Sequence, residues 1–191
     1  MICIIDIDRK QSRLVSAILS KNSIDNIIST DEQKLSACDK IIIPDTDNFE
    51  KSLRKLKLMN LMSVLRVFQK PILGINNGML LMCSKIGSMP FVGLGILNEN
   101  AVSLDNKIEG IYPIINKSKS EKSLTYSSNS NLYYFNADIA ILESQLSDSL
   151  IYIDNNTLTA TYRNRNIYGI QMCLDNDQNI GEDLLLRFAE L

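Results

Sequence analysis

Residues 70–82, K-P-I-L-G-I-N-N-G-M-L-L-M, hold the pattern in this chain best suited to chemistry. An apolar run of strand length, 71–75, meets Asn76-Asn77-Gly78 and passes at once into a second apolar run that reads as a helix. A corner this tight is a nucleophile elbow. It lifts one side chain to the C-terminal end of a buried parallel strand and turns the following backbone N–H groups toward whatever is bound there. A working apex carries Cys or Ser. Here the apex is Asn76, whose amide nitrogen is delocalised and no match for a thiolate as a nucleophile. The chain also contains no histidine. That removes every Ser-His and Cys-His arrangement and most catalytic zinc sites. The four cysteines, Cys3, Cys38, Cys83 and Cys173, are scattered with no C-x-x-C spacing, which speaks against a zinc site or a disulfide framework. Cys173, with Asp175 two residues on, is the alternative nucleophile. It would need a depressed thiol pKa, and the sequence shows no neighbouring cation to supply one. Arg163 and Arg165 stand on the preceding hairpin and reach the site only by folding back. No metal and no cofactor are expected.

The elements that must position these residues follow from periodicity. Residues 2–5 read as a buried strand, and Asp8 with Gln11 forms a capping pattern for a helix running to about Lys21. Strands are expected at 24–28 and 40–43, with a short helix at 31–37 between them. Asp47 and Glu50 predict the start of one long helix with an apolar face on Leu53, Leu56, Leu61, Met62 and Leu65. After Gly87 the helical period fades. Strand-like runs follow at 101–104, 111–115, 132–135, 150–153, 158–162 and 167–172, and 118–130 reads as a polar loop. Residues 154–157 suit a hairpin turn, and Ile180, Leu184, Leu185 and Phe188 stripe a final helix. Strand–helix alternation, then antiparallel strands, then a closing helix implies an α/β fold with a mixed sheet in one domain, 1–191. With 191 residues, 45% hydrophobic and 22% charged, at a net charge of −2, the composition is that of an ordinary globular domain. No basic block suggests nucleic acid, and no apolar run approaches the roughly 20 residues that span a bilayer. The first residues turn polar too soon for a signal peptide, so a cytoplasmic location is expected.

Set in order, these motifs resemble the class I glutamine amidotransferases, and most closely the glutaminase subunit of imidazole glycerol phosphate synthase. Ile2–Asp6 matches the first strand, I-x-I-I-D. Ile42-Ile43-Pro44 with Phe49 matches L-P-G-V-G-x-F, and Pro71–Met79 matches P-x-L-G-I-C-x-G-M. Gly93-Leu94-Gly95, Tyr133–Asn136 against Y-F-V-H, 166–171 against N-V-F-G-V-Q, and the final L-R-F-A-E-L complete the series. The resemblance implies a flavodoxin-like three-layer fold: a mostly parallel central sheet, helices on both faces and an added antiparallel region. It also implies a Cys-His-Glu triad that hydrolyses glutamine and passes ammonia to a (β/α)8 cyclase-type partner in histidine biosynthesis. All three triad positions depart, to Asn76, Cys173 and Asp175. The oxyanion glycines become Asp45 and Asp47, whose carboxylates would repel a developing oxyanion. The remaining glutamine-site positions are Asn77, Gly78, Leu80, where the family has Gln, and Asn136, where it has His.

Three functions are compatible with these residues. One is a degenerate subunit that cannot hydrolyse glutamine and acts as a structural or regulatory partner of a cyclase-type barrel, in a heterodimer. Another is an active amidotransferase or hydrolase with an unconventional nucleophile such as Cys173. The third is a small-molecule binding protein with a polar pocket of Asn76, Asn77, Asn136, Asp45 and Asp47, a lining that could equally bind nothing.

Overall fold

The computed structural model describes residues 1–125, 132–153, 156–174 and 181–191. Its first half alternates β1 (Ile2–Ile5), α1 (Arg9–Lys21), β2 (Asn26–Ser29), α2 (Glu32–Ala37), β3 (Lys40–Ile43), α3 (Phe49–Leu58), α4 (Leu61–Val67), β4 (Ile72–Ile75) and α5 (Asn77–Leu81). Then come β5 (Lys85–Ile86), β6 (Asn100–Pro113), β7 (Ile115–Asn116), β8 (Leu132–Ala140), β9 (Ser147–Ile153), β10 (Asn156–Asn164), β11 (Ile167–Ile170) and α6 (Glu182–Glu190).

Eight strands form the main sheet in the order β2-β1-β3-β4-β11-β10-β9-β7. The first five run parallel, and from β11 outward each pairing is antiparallel. The period of two along each strand divides the core. Cys3, Ile5, Ile41, Ile43 and Ile72 face one way, onto Leu53 and Leu56 of α3, Leu61 and Leu65 of α4 and Met79 of α5. Ile2, Ile4, Ile42, Leu73 and Ile75 face the other, onto Val15, Ile18 and Leu19 of α1 and Leu184, Leu185 and Phe188 of α6. The result is the expected α/β arrangement, helices on both faces of a mostly parallel sheet. A second sheet, β5-β6-β8, is dominated by the antiparallel β6–β8 pair. Gln171 ties the two sheets together. Its buried amide donates to the Ile139 carbonyl at 2.7 Å and accepts from the Ile141 N–H at 3.3 Å.

Several boundaries differ from expectation for local reasons. Asp8 caps α1 by accepting from the N–H groups of Lys10 and Gln11, as its spacing suggested. The cap of α3 is Asn48 rather than Asp47. The Thr46 hydroxyl accepts the Asn48 N–H, and the Asn48 side chain then accepts the Lys51 N–H at 2.8 Å, so the helix starts one residue later. The expected long helix is two, because Asn60 adopts a left-handed φ of 57° between α3 and α4. The second strand begins at Asn26, since Ser23 has φ 58° and the Ile24 N–H still bonds back to Leu19. The runs at 101–104 and 111–115 belong largely to one strand, β6. Its pairing with β8 loses register between Ser103 and Ile108, where four residues oppose the single Asp138. The expected turn at 154–157 and the loop at 118–130 fall partly outside the described residues, as does Ile180. No helix among the described residues is long and apolar enough to cross a membrane.

Candidate functional site

The site forms where β3, β4 and β11 end side by side. Pro44 terminates β3 and leaves Asp45 at its tip. At the end of β4, Asn76 takes φ 47° and ψ −117°, a strained corner that asparagine tolerates better than most residues. Its N–H bonds the Ile170 carbonyl of β11 at 2.6 Å, which fixes the corner to the neighbouring strand. Gly78 makes the corner possible: a Cβ there would lie 2.3 Å from the carbonyl oxygens of both Ile43 and Pro44. Gly169 serves the same packing, because a Cβ on it would meet the Met79 side chain at 2.6 Å. The elbow read from the sequence is present, with an amide at its apex.

Asp45 organises the polar groups around that apex. Its Oδ1 accepts the N–H of Asn77 at 3.1 Å and of Thr46 at 2.7 Å. Its Oδ2 accepts from Asn76 Nδ2 at 2.9 Å. Asn76 Nδ2 also points at Cys173 Sγ, 3.4 Å away, and Asn77 Nδ2 donates to the Thr46 carbonyl at 2.8 Å. Burial pushes the Asp45 carboxyl up to about 6, and the nearby Asp47 charge adds a little; the donors from Asn76, Thr46 and Asn77 pull the other way. The N–H after an elbow apex is the donor such a corner offers to a developing oxyanion. Asp45 therefore does more than repel an oxyanion, as its sequence position suggested. It occupies that donor.

Asp45, Asp47, Asn76, Asn77, Asn136 and Cys173 line one cavity of about 260 Å³. Lys10, Gln11, Lys107 and Asp138 complete its wall. Leu80 and Gly78 stand apart from this lining. Leu80 is fully buried in the apolar layer beneath α3 and α4, because a leucine at this helix position turns from the polar cavity to the core. Gly78 packs behind the corner against β3 and does not line the cavity. Asp175 lies outside the described residues. Lys10 and Lys107 line the same cavity as Cys173. Lys10 sits where β1 ends and α1 begins, beside the other strand ends, so its position was open to inference. Lys107 and Asp138 come from the register irregularity between β6 and β8, which no motif announces. Arg163 does not fold back: it pairs with Asp148 at 3.0 Å, far from the elbow.

All four cysteines are buried. Desolvation pushes the Cys3 and Cys83 thiols up to about 12, which marks them as inert core residues. Cys173 is 5% exposed, and its N–H bonds the Tyr134 carbonyl of β8 at 3.1 Å. Among the described residues no group of His, Cys, Asp and Glu side chains is arranged to hold a metal ion.

No family model matches the chain. It is 27% identical over 200 residues to the imidazole glycerol phosphate synthase subunit HisH 2 of Methanococcus maripaludis, covering 100% of this chain and 99% of that one. It is 25% identical over 205 residues to the imidazole glycerol phosphate synthase subunit HisH of Listeria monocytogenes, covering 100% and 96%. The fold superposes on the structure of PurLQS from Thermotoga maritima with a TM-score of 0.70 at 14% identity, over 99% of this chain and 97% of that one. A solved structure described simply as a glutamine amidotransferase gives 0.67 at 11% identity, over 100% and 99%. By sequence along its whole length the chain is thus similar to the HisH subunits, and its fold is that of the class I glutamine amidotransferases.

Proposed function

We propose that this chain is a glutamine amidotransferase-like subunit that does not hydrolyse glutamine. In this reading it serves, as one domain over residues 1–191 and in the cytoplasm, as a structural or regulatory partner of a (β/α)8 cyclase-type subunit. One observation carries the proposal: Asn76 stands at the apex with the Asp45 carboxylate bonded to the N–H that follows it. Attack needs a nucleophile, and Asn76 supplies none. A tetrahedral intermediate needs a free donor, and the Asn77 N–H already serves an anion. Proton transfer to the leaving ammonia needs a group that cycles near neutral pH, and the chain has no imidazole. Loss of one triad member alone typically costs roughly 10⁴-fold. The similarity to HisH subunits supports the choice of partner, since those proteins are named as subunits of imidazole glycerol phosphate synthase.

The test is ammonia release from glutamine by the purified chain, alone and with the barrel subunit from its own source, together with co-purification of the two. Recovery of the barrel without turnover is the expected result. Turnover well above the buffer rate refutes the proposal. A second reading, catalysis by Cys173, draws on the contact of its sulfur with the apex amide and on Lys10 and Lys107 in the shared wall. Iodoacetamide decides this one. Labelling of Cys173 no faster than that of Cys38 removes it, and selective labelling near neutral pH favours it.

A further inference from the structure

The elbow cavity lies at the C-terminal ends of β4 and β11. A second concavity, of about 360 Å³, lies at the opposite end of the sheet, beside the turn that leads into β11. Lys117, Arg163 and Arg165 bring three cations to its wall, with Asp148 as the carboxylate among them. This stands out on a chain whose net charge is −2.

The wall is held in place before any ligand arrives. The Asp148 carbonyl accepts the N–H groups of Lys117 at 2.8 Å and Ser118 at 3.1 Å, fixing that segment to β9. The Asp148 carboxylate, 8% exposed, accepts from Arg163 Nε at 3.0 Å. A guanidinium held through Nε presents its two terminal nitrogens as a fork, the geometry that suits a bidentate oxyanion. Lys117 Nζ rests on Glu143 at 2.8 Å and on the Ser144 carbonyl at 3.1 Å, at the rim.

Arg165 supplies the second, independent observation. It sits in the two-residue turn joining β10 to β11, where Asn164 pairs with Ile167. Its φ is 53°, in the left-handed region that glycine or asparagine occupies with less strain. Asn166 pins the turn by donating to the carbonyls of Gln69 and Lys70 at 2.8 and 2.9 Å. The positive φ is that of a two-residue hairpin turn, and it sets the exposed Arg165 beside two other cations. No described residue pairs with the Arg165 guanidinium.

We propose that this concavity is a binding site for a phosphate group, free or as a phosphomonoester, held by the Arg163 fork, Arg165 and Lys117. With Asp148 and Glu143 set against the three cations one net positive charge remains, and a tetrahedral oxyanion offers an oxygen to each cation. The site is separate from the elbow, so its failure leaves the proposed function untouched.

The experiment titrates the full-length chain with inorganic phosphate, glycerol phosphate and acetate at constant ionic strength, followed by backbone amide NMR shifts. Saturable shifts at Lys117, Ser118 and Arg165 with both phosphates and not with acetate are expected. A phosphomonoester preference identifies a phosphorylated metabolite as the ligand, and equal affinity identifies phosphate itself. Arg165→Gly relieves the strained turn and keeps the fold, and it should weaken phosphate binding at least tenfold without lowering the melting temperature. Arg163→Gln should also weaken binding through loss of the fork, and it should lower the melting temperature too, because the nearly buried Asp148 loses its partner. Absence of saturable shifts in the unaltered chain overturns the proposal, as does undiminished binding by folded Arg165→Gly.

Discussion

Asp45→Asn tests the electrostatics of the elbow directly. The Asp45 carboxyl is held at about 6 against an ordinary 3.8, chiefly because burial disfavours its charge. At 1.36 kcal/mol for each tenfold change in proton affinity, this is worth about 3 kcal/mol, as an order of magnitude. Between the two values the folded chain keeps a proton on Asp45 that the unfolded chain has released, so stability falls as pH rises. The contribution is fully present below about pH 4 and is lost as pH passes through about 6. Asparagine cannot ionise, so the variant lacks this decline. It keeps an oxygen for the N–H groups of Thr46 and Asn77 but turns an NH2 toward Asn76 Nδ2, a mismatch costing about 1 kcal/mol at every pH. Urea unfolding of both proteins at pH 4.5 to 7.5 isolates the effect, since other titrating groups cancel in the difference. The variant should gain relative stability with rising pH, by about 2 kcal/mol across this window, roughly the first 1 kcal/mol having been lost below pH 4.5. A flat difference refutes the reasoning. So does one of opposite slope, which would mean that the donors from Asn76, Asn77 and Thr46 stabilise the carboxylate more than burial opposes it.

Asn76→Cys alone should leave ammonia release from glutamine at the buffer rate, because the imidazole and the free oxyanion donor are still missing; measurable turnover contradicts this. Gly78→Ala should lower stability by about 3 kcal/mol or more by urea unfolding, since the new methyl meets two backbone carbonyls that cannot retreat without moving β3. Phe188→Ala should cost roughly 3–5 kcal/mol, for Phe188 is fully buried on α6, edge-on to the Tyr168 ring at 5.6 Å.

Much of this architecture was legible because its signals are local. β1 and β3 are short isoleucine-rich runs, ended by Asp6 and Pro44, and both fall where the pattern placed them. The elbow was legible because Gly78 and a tolerant Asn76 leave few alternatives for a strand that must turn at once into a helix. What escaped were features set by competition between neighbours. Asn48 took the cap from Asp47 because the Thr46 hydroxyl could hold its N–H. Lys107 and Asp138 reached the cavity where four residues of one strand oppose a single residue of its partner, and nothing in a single strand's pattern reports its partner's register. Leu80 was placed by motif alignment, and its hydrophobicity accounts for its burial in the core.

The two substitutions at the heart of the elbow are coupled. A corner of this kind exposes one backbone N–H, at Asn77, and one apex side chain, and both need partners when substrate is absent. Asp45 satisfies both through its two oxygens, and Asn76 in turn gives that buried carboxylate a donor. Replacing Asp45 by glycine alone strands the Asn76 amide and the Asn77 N–H. Replacing Asn76 by cysteine alone sets a thiol beside a carboxylate, which raises the thiol pKa just where a thiolate is needed. Part of the cost of each single change is therefore absent from the pair, so Asn76→Cys with Asp45→Gly should show a favourable interaction energy for stability in a double-mutant cycle. Simple additivity between the two positions would show that Asp45 and Asn76 became what they are independently.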